Sequence, residues 1–197
     1  MASLGSVFGS DLTLGGLLPY SFTGKNGVKI TIRQADVQDA GELLAIKLGI
    51  LQEGIYDSLQ PDEYVFEIEQ ESAWIAECLS GMANLLIVAE AEGRVVGVLY
   101  FRASLELRCA HWGEFGMGIE PAWRNQGVGK ALLKVLMDWA EAHPTVEKVC
   151  LRVFDINPVA VKLYKKLGFV EEGRLKKCLK VGPGNYSDAI LMARFVK

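Results

Sequence analysis

From Arg124 to Ala140 the chain reads RNQGVGKALLKVLMDWA, with two glycines one residue apart at the mouth of a predicted helix. Glycines at 127 and 129 uncover backbone N–H groups where the positive end of the helix dipole adds to them, which makes a site for phosphate or pyrophosphate. A P-loop requires Gly-Lys followed by Ser or Thr, but Lys130 is followed by Ala131. The dinucleotide fingerprint requires a third glycine where Leu132 stands. What remains is Arg-x-x-Gly-x-Gly, over Arg124, Asn125, Gln126, Gly127, Val128 and Gly129, just after Pro121. Taken alone, that pattern is met equally well by a tight turn with close helix–sheet packing.

A second chemical candidate lies upstream, in EFGMGI. On a strand, Glu114, Gly116 and Gly118 share one face and Phe115, Met117 and Ile119 the other. Two glycines leave room for a group to approach that face, with a carboxylate at its end; the alternative is a solvated edge carboxylate. His111, three residues earlier, is a second titratable group, or simply a residue of a loop or core edge. Tyr164 flanks the Ala160–Leu163–Leu167 stripe of a later helix, where it can face a cleft or pack. The cysteines Cys78, Cys109, Cys150 and Cys178 lie far apart, without a CxxC or a nearby His pair. Reduced cytoplasmic thiols fit this better than a disulfide framework or a zinc site, and no metal is expected.

The elements that hold these residues are legible from periodicity. Val28–Ala35 alternates as a half-buried strand, and Asp36 caps a helix running to about Leu51. A second helix is predicted over Glu63–Leu79, then a hairpin of Leu85–Ala91 and Val95–Ala103 around EGR. Glu114–Pro121 is a strand and Gly127–Ala142 an amphipathic helix that His143-Pro144 ends. Val149–Phe154 is a strand. NPVAVKLYKKLGF is a helix capped by Asn157 and closed by Gly168, with Phe169 folding back. Val170–Leu179 and Ala189–Val196 close the chain around VGPGNY.

A chain of 197 residues, half of them apolar and 23% charged, predicts one α/β domain with a mixed sheet of about seven strands and about four helices. The domain spans residues 28–197, behind a Gly- and Ser-rich extension over residues 1–27 that has no secretory pattern. Net charge −3 gives no basic field for nucleic acid, and no apolar run is long enough to cross a bilayer.

Two motifs together carry a resemblance. PAWRNQGVGKALL, and the later Asn157, Ala160, Leu163, Tyr164, Gly168 and Phe169 in N-x-x-A-x-x-L-Y-x-x-x-G-F, resemble the GCN5-related N-acetyltransferase (GNAT) superfamily over about Val28 to Lys197. The resemblance implies acetyl-CoA as co-substrate, its pyrophosphate on the loop from Arg124 to Lys130, and its pantetheine arm against main-chain groups of Met117 and Ile119. It also implies cofactor contacts from Asn157 and Tyr164.

Acetyl transfer to an amine needs a neutral amine, a stabilised carbonyl oxygen and a proton for the leaving thiolate. Under the resemblance Glu114 is the candidate base, with His111 as the alternative, and Tyr164 is the candidate acid. A covalent route through Cys109 or Cys150 lacks a neighbour that would lower a thiol pKa. Leu51–Tyr64 lies where the superfamily lines its acceptor site. It carries Glu53, Asp57, Asp62, Glu63 and two tyrosines, either as a polar surface connection or as an attraction for a cationic amine. The chain resembles the branch acetylating polyamines and ribosomal-protein termini, which shades into antibiotic and amino-acid acetylators. The expected partner is an amine-bearing acceptor, with no nucleic acid and no membrane, and a homodimer is admissible. The competing class is a non-catalytic acyl-CoA sensor, which needs neither acid nor base.

Overall fold

In the computed structural model, which describes residues 14–64, 67–81 and 83–197, the alternating segments become strands of one sheet. The strands are β1 (Tyr20–Thr23), β2 (Lys29–Gln34), β3 (Asn84–Ala91), β4 (Arg94–Ala103), β5 (Trp112–Ile119), β6 (Lys148–Phe154), β7 (Val170–Gly182) and β8 (Asn185–Phe195). The helices are α1 (Ala40–Glu53), α2 (Ile68–Ser80), α3 (Val128–Ala142) and α4 (Pro158–Lys166). The sheet order is β1-β2-β3-β4-β5-β6-β8-β7, and of these pairings only β5–β6 is parallel.

Strand alternation sorts the core into two layers. Leu85, Ile87 and Ala89 join Ile30, Ile32, Leu99 and Phe101 in the cluster that buries Leu132, Leu136 and Trp139 of α3. Leu86 and Val88, between them on β3, pack instead with Leu43 and Ile46 of α1 and Ile75 of α2. The helical stripe predicted for α3 is buried, and the helix stops at His143, the residue before Pro144. Gly168 takes a φ of +86° and the Phe169 amide donates to the Tyr164 carbonyl, the turn expected to close α4.

Four boundaries differ from the sequence-based expectation. Asp36 caps a 3-10 turn, Val37–Asp39, and the first helix begins only at Ala40. The second helix starts at Ile68 because Pro61–Glu63 forms its own 3-10 turn, in which the Glu63 carboxylate accepts from the Gln60 amide at 2.8 Å. The closing strands run on to Gly182 and Asn185, leaving a two-residue turn with Gly184 at φ +70°. The segment ahead of residue 28 supplies an eighth strand: Tyr20 lies opposite Ile32 and Phe22 opposite Ile30, and both aromatics pack on the core.

Candidate active site

The parallel pairing of β5 with β6 lasts for three residues, Trp112–Glu114 against Lys148–Cys150. Beyond it β6 stays bonded to β8 and β5 to β4, so the two strands part. Which backbone groups of β5 face that gap follows from register. Ser104 donates to Trp112 and Glu120 to Val96, each at 3.0 Å, which places the even-numbered residues in hydrogen-bonded pairs with β4. The odd-numbered ones turn away, as the His111 carbonyl shows by accepting from Glu147 and Lys148 on the β6 side. The N–H and C=O groups of Phe115, Met117 and Ile119 therefore line the gap, an open edge that an extended ligand arm can join. The Ile119 carbonyl already accepts from Arg124 Nε at 3.1 Å.

At the far end of β5 the loop into α3 is built to hold an anion. Asn125 (φ +63°) and Gly127 (φ +99°) are both left-handed, and such alternation turns successive N–H groups to one side. The first helical bond is Ala131 to Gly127, so the amides from Asn125 to Lys130 have no acceptor among the described residues. Gln126 Oε1 is buried with no partner there either. The unsatisfied backbone amides at the helix mouth fit a pyrophosphate, whereas Gln126 Oε1 is an acceptor and adds nothing toward an anion.

The two glycines have separate reasons. Gly127 is required by its positive φ. At Gly129 a Cβ would instead meet Ile119 Cδ1 at 3.2 Å, Met117 Cε at 3.4 Å and Leu163 Cδ2 at 3.5 Å, so its bareness lets α3 close onto β5 and α4.

The glycine face of β5 is approached closely by side chains as well. A Cβ at Gly116 would strike the Tyr100 ring at 2.5 Å, and one at Gly118 would lie 2.7 Å from Ile50 Cδ1. Tyr100 and Ile50 thus crowd the two glycines, which nonetheless line the cleft on this side of the sheet.

Between the parted strands, α1, α2 and α4 lies a cleft of about 560 Å³. Glu114, Met117, Asn157 and Tyr164 line it together; the exposed His111 is not among its lining residues. Glu114 is exposed and makes no hydrogen bond or ion pair among the described residues. Asn157 caps α4, its Oδ1 accepting from the Ala160 amide at 3.1 Å. The Tyr164 ring is held edge-on by Phe115 (5.7 Å) and Phe169 (6.0 Å). Burial pushes its pKa up to about 12, so the hydroxyl stays a donor across the neutral range. Burial likewise lifts the Cys150 thiol to about 11.

Several cleft residues lay outside the expectation. Lys47 donates to Tyr64 at 2.7 Å and to the buried Glu71 at 3.0 Å. Burial pulls the Lys47 pKa down, but these hydrogen bonds and charges outweigh it and leave the ammonium above its ordinary value. Trp74, Tyr100 and Arg152 also line the wall, beside Tyr56 and Asp57 from the acid-rich segment that the resemblance had brought forward. The Arg152 signal was present as the single charge interrupting VCLRVF. Arg124, expected at the cofactor, places its guanidinium elsewhere: it pairs with both oxygens of Glu53 (2.7 and 2.5 Å) and lies over the Tyr56 ring at 5.4 Å. It ties the loop to the end of α1, and its own amide donates to the Pro121 carbonyl at 3.2 Å.

The chain matches the acetyltransferase (GNAT) family over residues 52–169. It is 37% identical over 108 residues to the L-amino acid N-acetyltransferase AaaT of Escherichia coli, covering 55% of this chain and 66% of that protein, just under two thirds of its length. In structure it resembles an acetyltransferase of the GNAT family from Streptococcus pneumoniae: TM-score 0.79, 28% identity, 84% of this chain and 99% of that one. It also shares the fold of yncA from Salmonella typhimurium, solved with its cofactor acetyl-CoA: TM-score 0.76, 20% identity, 85% and 94% covered.

Proposed function

The chain belongs to the acetyltransferase (GNAT) family, and from that premise we propose that it moves the acetyl group of acetyl-CoA to a primary amine, by direct attack in a ternary complex. Residues 28–197 form the transferase domain in this proposal, with 1–27 an extension that adds β1, and the enzyme works in the cytoplasm. Among the described residues no helix is long and apolar enough to cross a membrane, and no group of His, Cys, Asp and Glu is arranged to hold a metal.

The observation that carries the proposal is that a free carboxylate and a protonated phenol line one cleft beside an unpaired strand edge. A passive acyl-CoA binder needs the edge and the loop but neither of the other two. Acetyl-CoA, when bound, supplies a thioester carbonyl activated toward nitrogen. The amides of the Asn125–Lys130 loop hold its pyrophosphate, and main-chain groups of Met117 and Ile119 hold its arm. Glu114 takes a proton from the incoming ammonium, directly or through one water, and leaves nitrogen a free lone pair. As the C–N bond forms, a main-chain N–H of the open β5 edge stabilises the charge gathering on the carbonyl oxygen. As the C–S bond breaks, Tyr164 gives its proton to the departing sulfur. No cysteine need be acylated, and the raised Cys150 pKa argues against it.

The test is thiol release from acetyl-CoA across amino acids, polyamines, aminoglycosides and N-terminal peptides. Turnover with any amine supports the transferase. Tight acetyl-CoA binding with no release across the panel leaves the sensor.

A further inference from the structure

The cleft contains two opposite charges that the protein itself does not pair. Of the cations lining it, Lys47 is held by Glu71 at 3.0 Å and Arg102 by Glu77 at 2.7 Å. Arg152, exposed on β6, has no acidic partner and no hydrogen bond among the described residues. Glu114, on β5, is in the same condition, and the two do not bridge each other.

Register places them. Glu114 lies opposite Cys150, and Arg152 follows Cys150 by two residues on the same face of β6. That offset is about 7 Å along the strand. Arg152 thus stands at the point where β5 and β6 have parted, across the gap from the region of Gly116. A carboxylate and a guanidinium held this way on the two lips of the opening present opposite charges to whatever enters. Both are exposed, so water satisfies them in the empty cleft, and a ligand of complementary charges exchanges that water for charge-assisted hydrogen bonds.

We propose that Arg152 reads a carboxylate on the acceptor, and that the acceptor is a free α-amino acid whose ammonium faces Glu114. The proposal rests on the transferase reading above and deepens it. An α-amino acid carries its two charges two bonds apart from a shared carbon, so one end engages the planar guanidinium fork while the other stays within reach of the base. A polyamine brings a second cation toward Arg152 and is repelled. A peptide N-terminus or an amino-acid amide has no carboxylate at that position and loses the contact. Arg152 binds here and takes no part in bond making; its effect is on acceptor affinity and choice.

The experiment compares kcat/KM for the proteinogenic L-amino acids with that for their α-amides, using the whole chain and acetyl-CoA. The parent should prefer the acid of its best pair by roughly ten-fold or more, the scale of a charge contact. Arg152→Met should bring the acid-to-amide ratio close to one, chiefly through KM of the acid. Arg152→Lys, which keeps the charge and loses the fork, should fall between. An acetyl-CoA-induced rise in melting temperature checks that each variant is folded, and the parent's own ratio tests the proposal even if a variant is not. Efficient turnover of amines with no preference for the acid overturns the proposal and leaves the transferase standing. A preference that survives Arg152→Met overturns the role of Arg152. Acetyl-CoA binding without turnover of any amine sinks the transferase reading, and this one with it.

Discussion

At the scale of single residues, Glu114 and Tyr164 are separable by pH. Glu114→Gln keeps the shape but cannot take a proton. Turnover near neutral pH should drop by about 10²–10⁴-fold, and the deficit should shrink as pH rises toward the amine's own pKa. A pH–rate profile that matches the parent throughout removes Glu114 as the base. Tyr164 has its pKa raised to about 12 by burial, so its proton is present at neutral pH and through the alkaline range up to that value. The parent should therefore show no alkaline loss from this group below about pH 11. Tyr164→Phe keeps the ring contacts with Phe115 and Phe169, so acetyl-CoA affinity should hold while kcat falls. The fall should be smaller with a thioester whose thiol is more acidic. Unchanged kcat with both thioesters would reduce Tyr164 to packing. Both residues were candidates from type and spacing, with their roles supplied by the resemblance, whereas Arg152 came into consideration only once the parted strands put it on a cleft.

Among the elements, α3 is where two glycines that share one pattern have separate structural reasons. The glycines at 127 and 129 were read as one bare cradle, but Gly127 is there for its φ of +99° and Gly129 for the approach of Ile119, Met117 and Leu163. Gly129→Val should consequently cost about 1–3 kcal/mol in a denaturant melt as the helix is pushed off β5 and α4. Acetyl-CoA affinity should weaken with it, because the open edge of β5 shifts too. Lost affinity at full stability would instead return Gly129 to the cradle. The same lesson holds for Gly116 and Gly118: a strand pattern tells which residues share a face, but not that Tyr100 and Ile50 come from other elements to crowd it.

On the scale of the whole molecule, one ion network joins the first half of the chain to the sheet. Arg33 on β2 donates twice to Asp39, at 2.8 Å each, and once to Glu90 on β3 at 2.6 Å; the Asp36 amide also donates to Asp39. Burial raises the Asp39 pKa, but the bonds from Arg33 and the Asp36 amide outweigh it, and the net shift is downward. A carboxylate lowered in the folded state stabilises it above the unfolded value of about 3.9, and that stability disappears as pH falls through the folded pKa. Asp39→Asn should lower unfolding free energy by about 1–2 kcal/mol at pH 7, allowing for the partial exposure of Arg33. The gap from the parent should narrow as the pH is lowered below 4. Denaturant melts at neutral and acid pH read both; a gap that does not change with pH would mean that charge is not the cause.

Local rules sufficed for much of this protein. Period-2 and period-3.6 patterns, Asn157 as a cap, Gly168 as a stop and His143-Pro144 as a terminator act over a few residues, so the helices, the central hairpin and the loop into α3 could be read directly. Tyr20–Thr23 was missed because four residues in a glycine-rich stretch carry little pattern, and only pairing with β2 makes them a strand. The departure of β5 from β6 after Glu114, the turning of the Arg124 side chain to Glu53 and the placing of Arg152 and Glu114 on one cleft all depend on residues distant in the chain. Such contacts are set by packing and strand register among several elements at once, and no window of sequence contains them.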